Sequence, residues 1–261
     1  MTENRTAIFY AGDRVLVRLA LAEAAGTTCV DTPAAADLVV VDACSLAQED
    51  LHLQVAAIDQ ALPRVVLSPL GAELAPDGTF PAVQAQAEAA ALSGAADTVV
   101  LRCALLGQDL ARACGHGTVE GTFYSTCEPA GAAWLDAADL AQLIGVLAAD
   151  PGRRGGRAYE VTGPEILGVP AAIELLAEIA DAPRRHVYLP EEAYLHALRR
   201  AGIDSPAGER LGHHLAWGSA KARRAVSPVL ARALGRAGRP LTAYLPAAWH
   251  AYQSELAATR G

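Results

Sequence analysis

The chain has 261 residues, 52% of them hydrophobic and 19% charged, with 21 Lys and Arg against 29 Asp and Glu. That length buries a full core in one domain or two small ones, and that apolar content excludes a disordered chain. A net charge of -8 excludes an extended nucleic-acid surface, which needs clustered cations; the one basic run, Lys221 to Arg224, suits a solvated helix face.

No uncharged apolar stretch is long enough to span a bilayer, and the polar start from Met1 to Arg5 leads into no signal-type core, so a cytoplasmic protein is expected. Cys29, Cys44, Cys103, Cys114 and Cys127 are odd in number and lack C-x-x-C spacing. They read as reduced thiols, and no metal is expected, because the histidines form no H-E-x-x-H pattern and the adjacent His213 and His214 would diverge on a helix.

The first element pair is "AIFYAGDRVLVRLALAEAAG", residues 7–26. The apolar run from Ala7 to Phe9 predicts a strand, and Val15, Leu16, Leu19 and Ala20 then recur at helical spacing until Gly26 stops the helix. The turn between them holds a single glycine, Gly12, where a nucleotide fingerprint G-x-G-x-x-G would have several. Further extended runs are predicted over 28–30, 37–41, 64–67, 98–102 and 158–161. Helices are predicted near 14–25, 47–62, 81–93, 106–113 and 136–149. Strand and helix in alternation imply a parallel sheet covered on both faces, and right-handed crossovers make it a doubly wound, Rossmann-like α/β fold. After Thr162 to Pro164 the pattern turns mostly helical, over 170–180, 191–201, 220–235 and 244–257. The expected organisation is a Rossmann-like domain over 1–163 and a helical substrate lobe over 164–261, the sheet being continued by 156–163.

Five stretches carry a resemblance. In order they are "RVVLSPLGAE" (64–73), "EAAALSGAADTVVLRCALLG" (88–107), "AWLDAADLAQLIGVLAAD" (133–150), "GRAYEVTGPEILGVPAAIELLAEIA" (156–180) and "GRPLTAYLPAAWHAY" (238–252). Together they resemble the NmrA-like branch of the atypical short-chain dehydrogenase/reductases, over most of the chain from residue 64 and more loosely over 7–63. The resemblance implies a Rossmann domain that binds NAD(P)H, a small substrate lobe, and a reductase or a redox-sensing regulator.

Departures from that pattern direct the functional expectation. The family's three glycine slots fall on Phe9, Gly12 and Val15, and Asp13 adds a negative charge where a phosphate would sit. The passage "TTCVDTPAAADLVVVDAC" leaves no room for the family's next strand and helix, which removes part of an adenine wall. Asp31, about 20 residues past the turn, stands where an acidic ribose partner is expected, and is equally a turn residue. The slots of the wider superfamily's Tyr-x-x-x-Lys pair hold Phe80 and Gln84.

These departures lead to an expectation of no cofactor, Gly12 and Asp31 being vestiges of its site. The expected activity is a cofactor-independent acid/base reaction, such as cyclisation, dehydration or isomerisation, on a small apolar metabolite. Asp42 or Asp13 would be the base, with Tyr10, Ser68 or Tyr124 polarising an oxygen, while Cys44, Phe80, Gln84, Arg102, His116 and Tyr188 would contact substrate. Bland readings stand beside these: Asp42 or Ser45 caps a helix, Asp136 and Asp139 serve a helix start, and Arg102 holds a carboxylate such as Asp136. Two alternatives are an NAD(P)H-dependent oxidoreductase and a catalytically silent regulator. The expected partner is a small molecule, with no nucleic acid and no membrane; a homodimer is left open.

Overall fold

Valine- and leucine-rich strands buried on both faces form the centre of a six-stranded parallel sheet in the computed structural model. It describes residues 5–12, 14–44, 62–94, 97–150, 155–200 and 206–258, so the helix predicted over 47–62 lies essentially outside the described residues, as does Asp13. The strands are β1 (Thr6–Ala11), β2 (Thr27–Val30), β3 (Leu38–Asp42), β4 (Arg64–Pro69), β5 (Thr98–Cys103) and, later in the chain, β8 (Arg157–Val161). Their order is β2-β1-β3-β4-β5-β8, all parallel. This is the Rossmann-like α/β architecture, with β2 at the edge. Between β2 and β3 the chain forms only a 3-10 turn at Pro33–Ala35, in keeping with the short passage read from the sequence.

The helices in chain order are α1 (Val15–Glu23), α2 (Phe80–Gly94), α3 (Gly107–Gly117), α4 (Ala137–Ala149), α5 (Val169–Ile179), α6 (Glu191–Arg200), α7 (Pro206–Ser219), α8 (Val229–Leu234) and α9 (Leu241–Ala258). The predicted helix over 220–235 is instead a 3-10 turn at Lys221–Arg223 followed by α8. Pro228 explains the break, since a proline disfavours helix at the residue before it and suits a helix start.

The chain divides into two compact units with interleaved segments. The first takes Met1–Cys103, Ala137–Val161 and Ser227–Ala237; the second takes Ala104–Asp136, Thr162–Val226 and Gly238–Gly261. In the first unit, Val39, Val41, Ala43, Val66 and Val100 pack against Ala87 and Ala91 of α2. In the second, Trp134, Phe123, Leu110, Ile173, Leu245 and Trp249 anchor a separate core. Each such side chain contributes about 1.5–3 kcal/mol on leaving water. The buried Trp134 indole donates to the Leu167 carbonyl at 2.8 Å, so its one polar atom is satisfied.

The second unit also holds a small sheet that the helical pattern does not predict. Its strands are β6 (Thr118–Val119), β7 (Thr122–Ser125) and β9 (Arg185–Tyr188), ordered β6-β7-β9. None exceeds four residues, too short for a periodicity to register. β7 and β9 run in parallel, pairing Phe123 with His186 and Ser125 with Tyr188.

Candidate active site

From β1 the chain passes through α1 to β2 on one side, whereas β3 lies on the other side of β1. The carboxyl ends of β1 and β3 therefore form the point where an open α/β sheet binds its ligands. Register sorts the candidate residues there. Tyr10 pairs with Val40, and successive residues alternate, so Tyr10 and Asp42 share one face of the sheet. Val66 and Val100 pair, so Ser68 and Arg102 share the opposite face with Phe9, Val39 and Val41.

On the first face Asp42 is fully buried and Tyr10 is 8% exposed. The Tyr10 hydroxyl donates to Asp42 Oδ2 at 2.5 Å. Arg14 clamps the same carboxylate, its Nε donating to Oδ2 at 2.6 Å and its Nη2 to Oδ1 at 2.7 Å. The backbone N–H of Cys44 also donates to Oδ1, at 3.1 Å. A buried carboxylate needs this company, because an unpaired charge in the interior costs several kcal/mol. Gly12 lies beneath the group: an added Cβ would come within 2.7 Å of Asp42 Cβ and of Tyr10 Cζ and Oη.

Arg14 is the residue that glycine counting misses. The usable signal is Asp42 itself, since a strand-end carboxylate in a buried run requires a cation, and the neighbouring turn offers one. Arg14 also stands at the N-cap of α1 in an extended conformation, with no side-chain cap and no acidic residue in the first turn. The start of that helix keeps its positive end uncompensated by its own first turn.

On the opposite face the candidates are tied into the fold. Gln84 is buried and its Nε2 donates to the Ala43 carbonyl at 2.7 Å. Arg102 donates from Nη2 to Glu88 Oε1 at 2.5 Å and pairs through Nη1 with Glu73 at 3.0 Å, so its carboxylates come from these residues and not from Asp136. The hydrogen bond it donates to Glu88 holds the Arg102 pKa above its ordinary value. Ser68 is fully buried, and its hydroxyl has no partner among the described residues. Phe80 opens α2 and is half-buried.

The remaining candidates stand elsewhere. Asp31 is exposed at the end of β2 and pairs with Arg18 at 2.6 Å. Asp136 accepts from Gln108 at 2.8 Å and from Arg239, and Asp139 pairs with Arg236 at 2.6 Å, so each carboxylate has its own arginine. In the second unit Tyr124 and Tyr188 are 39% and 41% exposed, but alternation turns Tyr124 away from the face that carries Ser125, His186 and Tyr188. The side chain of His116 lies outside the described residues. Burial pushes the Cys103 and Cys127 thiols up to about 12, which leaves both neutral and unfit as nucleophiles.

No protein-family profile matches the chain. No curated protein matches it by sequence either. Solved structures do match its fold. The NADPH-dependent quinone oxidoreductase of Escherichia coli, determined with NADPH, is 16% identical, with a TM-score of 0.67 over 91% of this chain and 98% of that one. Triphenylmethane reductase of Citrobacter sp., complexed with NADP(H), is 14% identical, with a TM-score of 0.70 over 93% and 100% of the two chains. RMD from Pseudomonas aeruginosa, complexed with NADPH, is 14% identical, with a TM-score of 0.58 over 98% and 100%. The class so defined is a protein with a Rossmann-like α/β fold.

These structures overturn the expectation that the chain takes no cofactor, because proteins of this fold are seen with NADPH or NADP(H) bound. The steric premise fails at Phe9 as well. Its ring packs against the Val39, Val41, Val66 and Val100 cluster on the face away from Tyr10 and Asp42, so it does not enter the turn. The side chain of Val15 lies outside the described residues.

Proposed function

We propose that the protein is an NAD(P)H-dependent oxidoreductase. One observation carries the reading: at the switch point of the sheet, Gly12, the start of α1, whose N-cap residue supplies no side-chain cap, and the Arg14 guanidinium stand together. A residue without a side chain, backbone N–H groups and a cation are what a diphosphate requires at a strand-helix turn. Gly12, the first turn of α1 and Arg14 would hold the dinucleotide, which when bound supplies a hydride. The neighbours found with NADPH support the same reading.

The acceptor follows from what the chain lacks. Phe80 cannot deliver a proton, and the Gln84 amide is fixed on the Ala43 carbonyl. An acceptor that must be protonated by a tyrosine activated by lysine in those slots is therefore disfavoured. A quinone takes the hydride to give a hydroquinone anion that picks up its one proton from water, and a delocalised cationic dye takes it to give a neutral product that needs no proton, so neither requires such a donor. The quinone and dye reductases among the neighbours agree with this class.

The test is a fluorescence titration of the purified protein with NADPH and with NADH, followed by nicotinamide oxidation with a panel of quinones and triphenylmethane dyes. Saturable binding with turnover of at least one acceptor is expected. Absence of binding by either nucleotide overturns the proposal.

A further inference from the structure

The carboxylate of Asp42 holds the group that a diphosphate would use. Two of the hydrogen bonds it accepts come from the Arg14 guanidinium, at 2.6 and 2.7 Å, in a paired geometry of the kind arginine offers to phosphate. Two further donors among the described residues are distributed one to each oxygen: Tyr10 Oη serves Oδ2 at 2.5 Å and the Cys44 N–H serves Oδ1 at 3.1 Å. When Arg14 turns away, neither oxygen is stripped of donors. Arg14 is also the outer member of the pair, its side chain 12% exposed against 0% for Asp42. Arg14 is the N-cap residue of α1, at the end of the turn from β1, while the carboxylate is fixed on the end of β3.

We infer that Asp42 is an internal competitor for Arg14: the ion pair occupies the anion-binding turn in the free protein, and a dinucleotide binds by taking Arg14 from it. Asp42 therefore sets the affinity of the turn for diphosphates. The inference rests on the proposed nucleotide binding but concerns a separate quantity, the coupling between two side chains and a diphosphate. Tyr10 and the Cys44 N–H act as the holding group that lets the carboxylate stay buried once Arg14 has moved.

The experiment is a double-mutant cycle read by binding and not by turnover. Wild type, Asp42→Asn, Arg14→Gln and the double variant are titrated calorimetrically with NADPH and, separately, with inorganic pyrophosphate. Asp42→Asn is expected to bind both probes roughly tenfold more tightly, the scale of one charge-assisted hydrogen bond. Arg14→Gln is expected to bind more weakly, and the gain from Asp42→Asn is expected to vanish in its background. Circular dichroism and thermal unfolding establish that each variant is folded. Asp42→Ser, also uncharged and smaller, replaces the asparagine if that variant does not fold. Unchanged or weaker affinity in a folded charge-removed variant overturns the inference, as does a gain that survives the loss of Arg14. A gain for pyrophosphate with no binding of NADPH here, and none of NADH in the fluorescence titration, supports the inference and overturns the proposed function.

Discussion

Ser125 Oγ lies 2.9 Å from Nε2 of His186, and the backbone N–H of Cys127 donates to the same oxygen at 3.2 Å. The serine is 2% exposed, and no other acceptor faces its hydroxyl among the described residues. A buried hydroxyl proton without an acceptor is costly, so the hydroxyl donates to Nε2 and the imidazole proton resides on Nδ1. Nitrogen NMR of the histidines is expected to show His186 as the Nδ1–H tautomer, and Ser125→Ala to convert it to a mixture. Burial also places the His186 pKa below its ordinary value of 6.5. In the window between that value and the folded one, the unfolded chain holds more protons than the folded chain. Stability contributed by neutral His186 is present above 6.5 and is lost as pH falls through the window. The difference in Tm between wild type and His186→Gln, measured against pH, is expected to bend there; parallel curves would contradict it.

The Arg102 cluster makes a prediction about stability and not about chemistry. Glu88 is 3% exposed and is one of two carboxylates on Arg102, the other being the more exposed Glu73. Removing Glu88 leaves the guanidinium, 21% exposed, with Glu73 as its remaining carboxylate, so what is lost is a charge-assisted hydrogen bond, about 2 kcal/mol. Glu88→Ala is expected to lower stability by roughly that amount in urea unfolding, and Glu88→Gln, which keeps an acceptor oxygen, by less. Equal effects of the two substitutions would show that the charge is not what matters.

The sheet was legible in the sequence because its central strands are apolar runs rich in valine, such as Leu38 to Val41 and Val65 to Leu67, punctuated by turn residues. Asp42 was legible too, as a polar residue ending such a run. Its partnership with Arg14 was not, because it depends on β1 lying beside β3, a fact of topology that no local pattern carries. Phe9 misled for a related reason: its slot in the motif says nothing about direction, which the alternation of β1 decides. The second unit hides more. β7 and β9 are four residues each, and the parallel pairing of Phe123 with His186 joins segments far apart in the chain. The helix at Pro206–Ser219 was missed where three glycines and two adjacent histidines, His213 and His214, weaken the helical signal.

Gly163 closes the Tyr-x-Val-Thr-Gly-Pro strand end, and its place has a steric cause. Its N–H donates to the Ala133 carbonyl at 2.9 Å, and an added Cβ would stand 1.9 Å from the Trp134 carbonyl oxygen and 2.7 Å from its carbon. Both of these are backbone atoms, held by the buried Trp134 whose indole is bonded to Leu167, so neither can yield without moving the second core. Gly163→Ala is expected to cost on the order of 4 kcal/mol or more, enough to leave the protein insoluble or unfolded at ambient temperature. Gly78→Ala is the control. That glycine has φ +79° but nothing within 4 Å of an added Cβ, so only backbone strain opposes it, about 1 kcal/mol. Thermal unfolding of the two variants side by side checks the contrast, and a Gly163→Ala protein as stable as Gly78→Ala would mean that the approach of the two backbone segments is not fixed.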